Sequence, residues 1–169
     1  MRPRHPNAPS VRNRLTAGLV LGIAIAAGAA AFAHSSSAAG SKQGDLASVV
    51  KSNLIETRAA MDDLVACAGC SDASLRAETV ALRAMKAING LTSDANHVEV
   101  NRARGSAFEG FRSYGEWAYS YGQSRYYSDL GKIKAAHKQI RIAHRHLGKA
   151  RSYARTATSL LHIRISRLP

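Results

Sequence analysis

The last forty residues of the chain, Leu130 to Pro169, contain no aspartate or glutamate, although the 169-residue sequence holds 11 acids against 24 Lys and Arg. The ten Lys and Arg of that segment cannot be neutralised from within it, and their mutual repulsion is a cost that an anionic partner would relieve. Catalytic patterns are missing too. There is no G-x-S-x-G elbow, no glycine-rich phosphate loop, and no carboxylate placed by motif to activate a histidine or a nucleophile. Asp62 and Asp63 are adjacent, so on a helix they point to different sides and cannot form an acid/base pair. Cysteine is confined to Cys67 and Cys70, and Ser71 breaks the C-x-x-C-H haem signature. The histidines lack the i, i+4 spacing of a helical metal pair: His137 and His144 are seven residues apart, and His146 points to another side. These patterns specify no catalytic residue, no metal ligand set and no cofactor. The expected activity is binding, not enzymatic.

What is present begins with an export segment. Met1 to Arg14 carry four Arg and no acid, followed by nineteen uncharged residues from Leu15 to Ala33. The apolar run closes on Ala31-Phe32-Ala33 before a polar His-Ser-Ser-Ser, which reads as a signal peptide over residues 1–33 cleaved after Ala33. The alternative is an uncleaved membrane anchor through residues 15–33, giving a single-pass protein with an exported domain, since nineteen residues can just span a bilayer core. Basic flanks stay inside, so both readings export the body, whether secreted, periplasmic or held at the cell surface. Without the signal the charge is about +9, from 20 basic residues and 11 acids, and it is local. His34 to Asp129 has ten Lys or Arg against eleven acids, while Leu130 to Pro169 has ten against none.

The remainder reads as one all-α domain, a small antiparallel bundle of about four helices over residues 45–169, preceded by the signal segment and a flexible linker over 34–44. Leu46, Val49, Val50, Leu54, Met61, Leu64 and Val65 recur at helical spacing behind Asp45 as an N-cap. A second helix is expected from about Leu75 to Asn89, with Leu75, Val80, Leu82, Met85 and Ile88 as its core face. In the third, a stripe runs through Val100, Ala107, Phe111, Tyr114, Ala118 and Tyr121. Gly105, Gly110, Gly115 and Gly122 weaken that helix by about 1 kcal/mol each relative to Ala, so kinks are expected near them. A lone strand would leave its backbone without partners, so helix is preferred over 105–127. The last helix is expected over Ile133 to Leu168 with a coiled-coil-like seam: Ile133, Ile140, Leu147, Ala154, Leu161 and Leu168 in one row, Ala136, Ala143, Ala150 and Ala157 in the other.

Three constellations are candidates for function. Lys134, Lys138, Arg141, Arg145, Lys149, Arg151 and Arg155 lie on the seam-bearing helix and are assigned as an anion-binding set. Eight of the nine aromatics beyond the signal fall between Phe108 and Tyr127; Trp117, Tyr119, Tyr126 and Tyr127 are read as an exposed patch, and Phe111, Tyr114 and Tyr121 as bulk facing the alanine row. Cys67 and Cys70 are read as a structural disulfide clipping an interhelical turn, worth roughly 2 kcal/mol for so short a loop. The functional expectation is an exported, membrane-associated or wall-associated bundle whose basic helix meets an anionic cell-envelope component: lipid headgroups, an acidic polymer or nucleic acid. Alternatives are a haem or metal site using Tyr and His between the aromatic stretch and the last helix, and thiol redox chemistry at Cys67 and Cys70. A homo-oligomer is compatible with the seam, and no specific protein partner is implied.

Overall fold

A computed structural model describes residues 41–67, 71–91 and 97–169. The export segment and most of the linker lie outside the described residues. Four helices follow one another: α1 Ser41–Ala66, α2 Ser71–Gly90, α3 Val98–Asp129 and α4 Ile133–Leu160. Among the described residues there is no strand, and no helix is long and apolar enough to cross a membrane. α3 is central. It packs most extensively on α4 across a tight hairpin, next on α2, while α1 rests mainly against α2 and barely touches α4.

Large residues of α1 and α3 fill the space left by alanines on α2 and α4. From α1 come Leu46, Val50, Leu54, Met61 and Leu64, all buried. From α3 come Phe111, Tyr114 and Trp117, and opposite them lie Ala73, Ala77, Ala84, Ala143, Ala150 and Ala154. Small faces let helix axes approach closely, and large side chains from the neighbours interdigitate over them. α3 is flanked on both sides, which explains why it also buries Ser113, Ser120 and Ser124. A small hydroxyl can be buried there because the helix backbone satisfies it: Ser124 donates to the Tyr121 carbonyl at 2.7 Å.

The same logic requires glycine at one of the four α3 glycines, Gly122, while Gly110 and Gly115 face neighbours at ordinary contact distance. A Cβ on Gly110 would stand 3.5 Å from the Ala154 nitrogen, and one on Gly115 would stand 3.4 Å from the Ala81 Cβ. At Gly122 it would collide with Ser74. These are crossing points, and α3 continues through all of them as one helix.

Several boundaries and faces differ from expectation. α1 begins at Ser41, so Ser41–Gly44 belong to its first turn, not to the linker, and Asp45 is inside the helix instead of capping it. On α2, Leu75 and Leu82 are 65 % and 62 % exposed, and on α1 Val65 is also exposed. The buried α2 face keeps Val80 and Ile88 from the expected set and is otherwise alanine, Ala73, Ala77, Ala81 and Ala84, which lets α2 lie close to its neighbours. On α4 the alanine row is buried, but Ile133 is exposed and Ile140 and Leu147 only half-buried, so the seam is carried by alanine.

α4 also ends eight residues early, at Leu160. Continuation would carry Arg164 onto the alanine seam, where an unpaired charge is costly to bury. Residues 161–169 instead fold back, and Leu161, Ile163, Ile165 and Leu168 pack onto the core. The Arg151 Nε–H donates to the Pro169 carbonyl at 2.8 Å, and the Arg58 Nη1–H donates to the Arg167 carbonyl at 3.3 Å.

Candidate anion-binding face and interhelical cleft

The outward side of α4 is the most distinctive surface of the bundle. Its alanines are turned to α3, so Lys134, Lys138, Arg141, Arg145, Lys149 and Arg155 all point to solvent and are exposed. The first four are spaced four, three and four residues apart, which keeps them on one stripe. From Lys134 to Arg155 the row extends about 32 Å at 1.5 Å per residue. Among the described residues none of the six pairs with a carboxylate; the ion pairs lie elsewhere, on Arg58, Arg83, Arg112 and His146. His137 and His144 are exposed on the same side. Arg151 departs from the predicted set. It is half-buried at the edge of the seam, and its guanidinium holds the C-terminal tail.

The aromatic patch is not the one read from the sequence. Trp117 is 4 % exposed, because it lies three residues beyond Tyr114 and so joins the same buried stripe. Its ring stacks on Tyr121, with centroids 5.2 Å apart, and the Arg125 guanidinium lies over the Tyr121 ring, 5.5 Å from its centroid. Tyr119 and Tyr126 are exposed and Tyr127 is half-buried, with the Tyr126 and Tyr127 rings in contact. Tyr114 is fully buried, its hydroxyl has no hydrogen-bond partner among the described residues, and burial pushes its phenol well above the ordinary value against the opposing pull of Arg151 and Arg155.

A cleft of about 520 Å³ runs where α2, α3 and α4 meet, walled by Leu82, Met85 and Ile142 and edged by polar groups. His146 Nδ1 lies 2.8 Å from a Glu116 carboxylate oxygen, and the other Glu116 oxygen is 3.4 Å from Arg112 Nε. Arg112 also reaches Glu109 at 3.7 Å. Glu78 lies in the same cleft, and burial raises its pKa although the hydrogen bond with Ser74 opposes the shift. No spacing in the sequence points to this network. Glu116 and His146 are thirty residues apart, and the only signal is that both border the alanine seam. Tyr119 and His146 line the cleft together, yet no group of three His, Cys, Asp or Glu that could hold a metal ion occurs among the described residues.

Cys67 sits immediately after α1, half-buried against the core, and Cys70 lies outside the described residues. No protein-family model, curated protein or solved structure matches this chain. Any functional reading therefore rests on the chain's own surfaces.

Proposed function

We propose that the protein is an exported binding bundle that lays the outer face of α4 against an anionic component of the cell envelope. The observation that carries this reading is the row of six exposed cations on α4, none of which meets a carboxylate among the described residues. Cations left without partners keep their full attraction for an external polyanion or charged surface. No large apolar side chain interrupts the stripe from Lys134 to Arg145, so attachment is by charge at the surface, unlike an amphipathic helix that buries an apolar face in lipid. Lipid headgroups, an acidic polymer and nucleic acid all present suitable charge. Binding must weaken steeply with salt.

The export segment over 1–33 supplies the compartment in this reading, with the anchor through residues 15–33 as the alternative. Cys67 and Cys70 then serve as a structural clip in an oxidising environment. Cys67 follows the C-terminal end of α1, where the helix dipole disfavours a thiolate, and this argues against thiol redox chemistry. A second reading, a small-molecule site using Tyr119 and His146, is favoured by their shared place in the cleft. Absorption spectra and metal content of the purified protein distinguish the two, because a haem or metal site would show in both.

A further inference from the structure

α3 and α4 end in the same way, and the comparison singles out His162. At the end of α3 the Lys132 N–H donates to the Tyr127 carbonyl and the Gly131 N–H to the Ser128 carbonyl, both at 2.8 Å, with Gly131 at φ +69°. At the end of α4 the Ile163 N–H donates to the Thr158 carbonyl at 2.9 Å and the His162 N–H to the Ser159 carbonyl at 3.2 Å, with His162 at φ 52°. Both are Schellman caps, whose left-handed position normally takes glycine. A histidine there stands in a backbone conformation that L side chains rarely adopt, and such residues concentrate at binding sites.

His162 lines a cleft of about 460 Å³ together with Arg155, Thr158, Ser159, Ile163 and Arg164. No acid lines it, and among the described residues neither arginine nor His162 is in an ion pair. The Thr158 hydroxyl is committed to the Ala154 carbonyl at 2.8 Å, whereas Ser159 is exposed and its hydroxyl makes no hydrogen bond among the described residues. The carbonyls of Thr158 and Ser159, which would otherwise repel an anion, are occupied by the cap. Cations near a helix C-terminus complement its dipole, which by itself accounts for Arg155 and Arg164. It does not account for a histidine where glycine fits without strain.

We propose that Arg155, Ser159, His162 and Arg164 form a binding site for a phosphate monoester group. Two guanidinium forks, an imidazole and a hydroxyl supply donors matched to its several oxygens. The site is separate from the Lys134–Arg145 stripe and stands whether or not that stripe binds a polymer.

The test is an NMR titration of the full chain with sodium phosphate against sodium chloride at equal ionic strength, following the Ile163 and Arg164 backbone amides in every variant and the His162 imidazole where it is present. Phosphate is expected to give a saturable shift, and the double variant Arg155→Ala, Arg164→Ala to weaken it at least tenfold. His162→Gly, which suits the cap, is expected to keep the fold and raise Tm while weakening phosphate several-fold; a purely structural histidine would not couple those two changes. A variant with Lys134, Lys138, Arg141 and Arg145 changed to Glu should bind phosphate here almost as the parent does. Competition by phosphatidylcholine vesicles carrying phosphatidic acid would identify a lipid headgroup as the source, and its absence a soluble ester. A shift that fails to saturate, or an equal midpoint in the arginine double variant, would overturn the site.

Discussion

Gly122 of α3 lies directly against Ser74 of α2: a Cβ built on the glycine would come 2.7 Å from the Ser74 Cβ and closer still to its hydroxyl. The same hydroxyl lies 2.9 Å from the Ala118 carbonyl and 3.1 Å from Glu78 Oε1, which share its single proton, so a buried side-chain-to-backbone bond fastens the two helices where they touch. The Ser74 contact therefore depends on the absence of a side chain four residues along α3.

Gly122→Ala is expected to destabilise by about 1–3 kcal/mol, the range for overpacking a close contact. Gly105, with open space around it on the same helix, should respond oppositely: Gly105→Ala is expected to stabilise by about 0.5–1 kcal/mol. Urea unfolding of the two variants checks the pair, and equal effects would mean that the α2–α3 crossing is not where it is described.

Trp117 is buried and stacked on Tyr121, so its emission should be blue-shifted in the native protein and move to the red on unfolding. Trp117→Ala should cost about 3–5 kcal/mol, against less than about 0.5 kcal/mol for a substitution at exposed Tyr126. Denaturation monitored by circular dichroism compares the two; a mild Trp117→Ala would return that residue to the surface patch.

Glu78 gives a pH dependence with a definite sign. Burial raises its folded pKa above the ordinary 4.5, so the stability it contributes is complete below its unfolded pKa and is lost as pH rises through the folded value. Glu78→Gln should therefore gain stability relative to the parent between acidic and neutral pH, with the two converging at low pH. Thermal melts across that range provide the check, and parallel curves would refute it.

The sequence made the helices legible but not all their inner faces. Periodicity of Leu46, Val50, Leu54, Met61 and Leu64 located the α1 face because large apolar residues carry it. On α2 the same reasoning chose Leu75 and Leu82, which are exposed, since close helix packing selects alanine and alanine contributes little to an apolar pattern. On α4 the alanine row is legible in the sequence, but the end of the helix at Leu160 is not, since Leu161, Ile163, Ile165 and Leu168 are apolar enough to pack as a helix or as the observed tail. Of the candidate site, Lys134, Lys138, Arg141, Arg145, Lys149 and Arg155 fall where helical spacing puts them. Arg151 and Trp117 do not, because their partners, Pro169 and Tyr121, depend on the tail fold and on which side of α3 is covered. The Glu116–His146 pair is a relation between two helices, which spacing along one helix cannot reveal.

In the proposed function the outer face of α4 binds an anionic surface through charge. The direct measurement is equilibrium binding to anionic vesicles and to a soluble acidic polymer, across salt, for the parent and for the variant with Lys134, Lys138, Arg141 and Arg145 all changed to Glu. These side chains are exposed and away from the alanine seam, so circular dichroism should show the fold intact. Each cation near an anionic surface is worth roughly 1 kcal/mol, so losing four removes about 4 kcal/mol, or roughly a thousandfold in affinity at low salt. Parent binding that falls steeply with salt, and a folded variant that no longer binds, is the predicted result; a folded variant that binds as tightly as the parent would contradict the account.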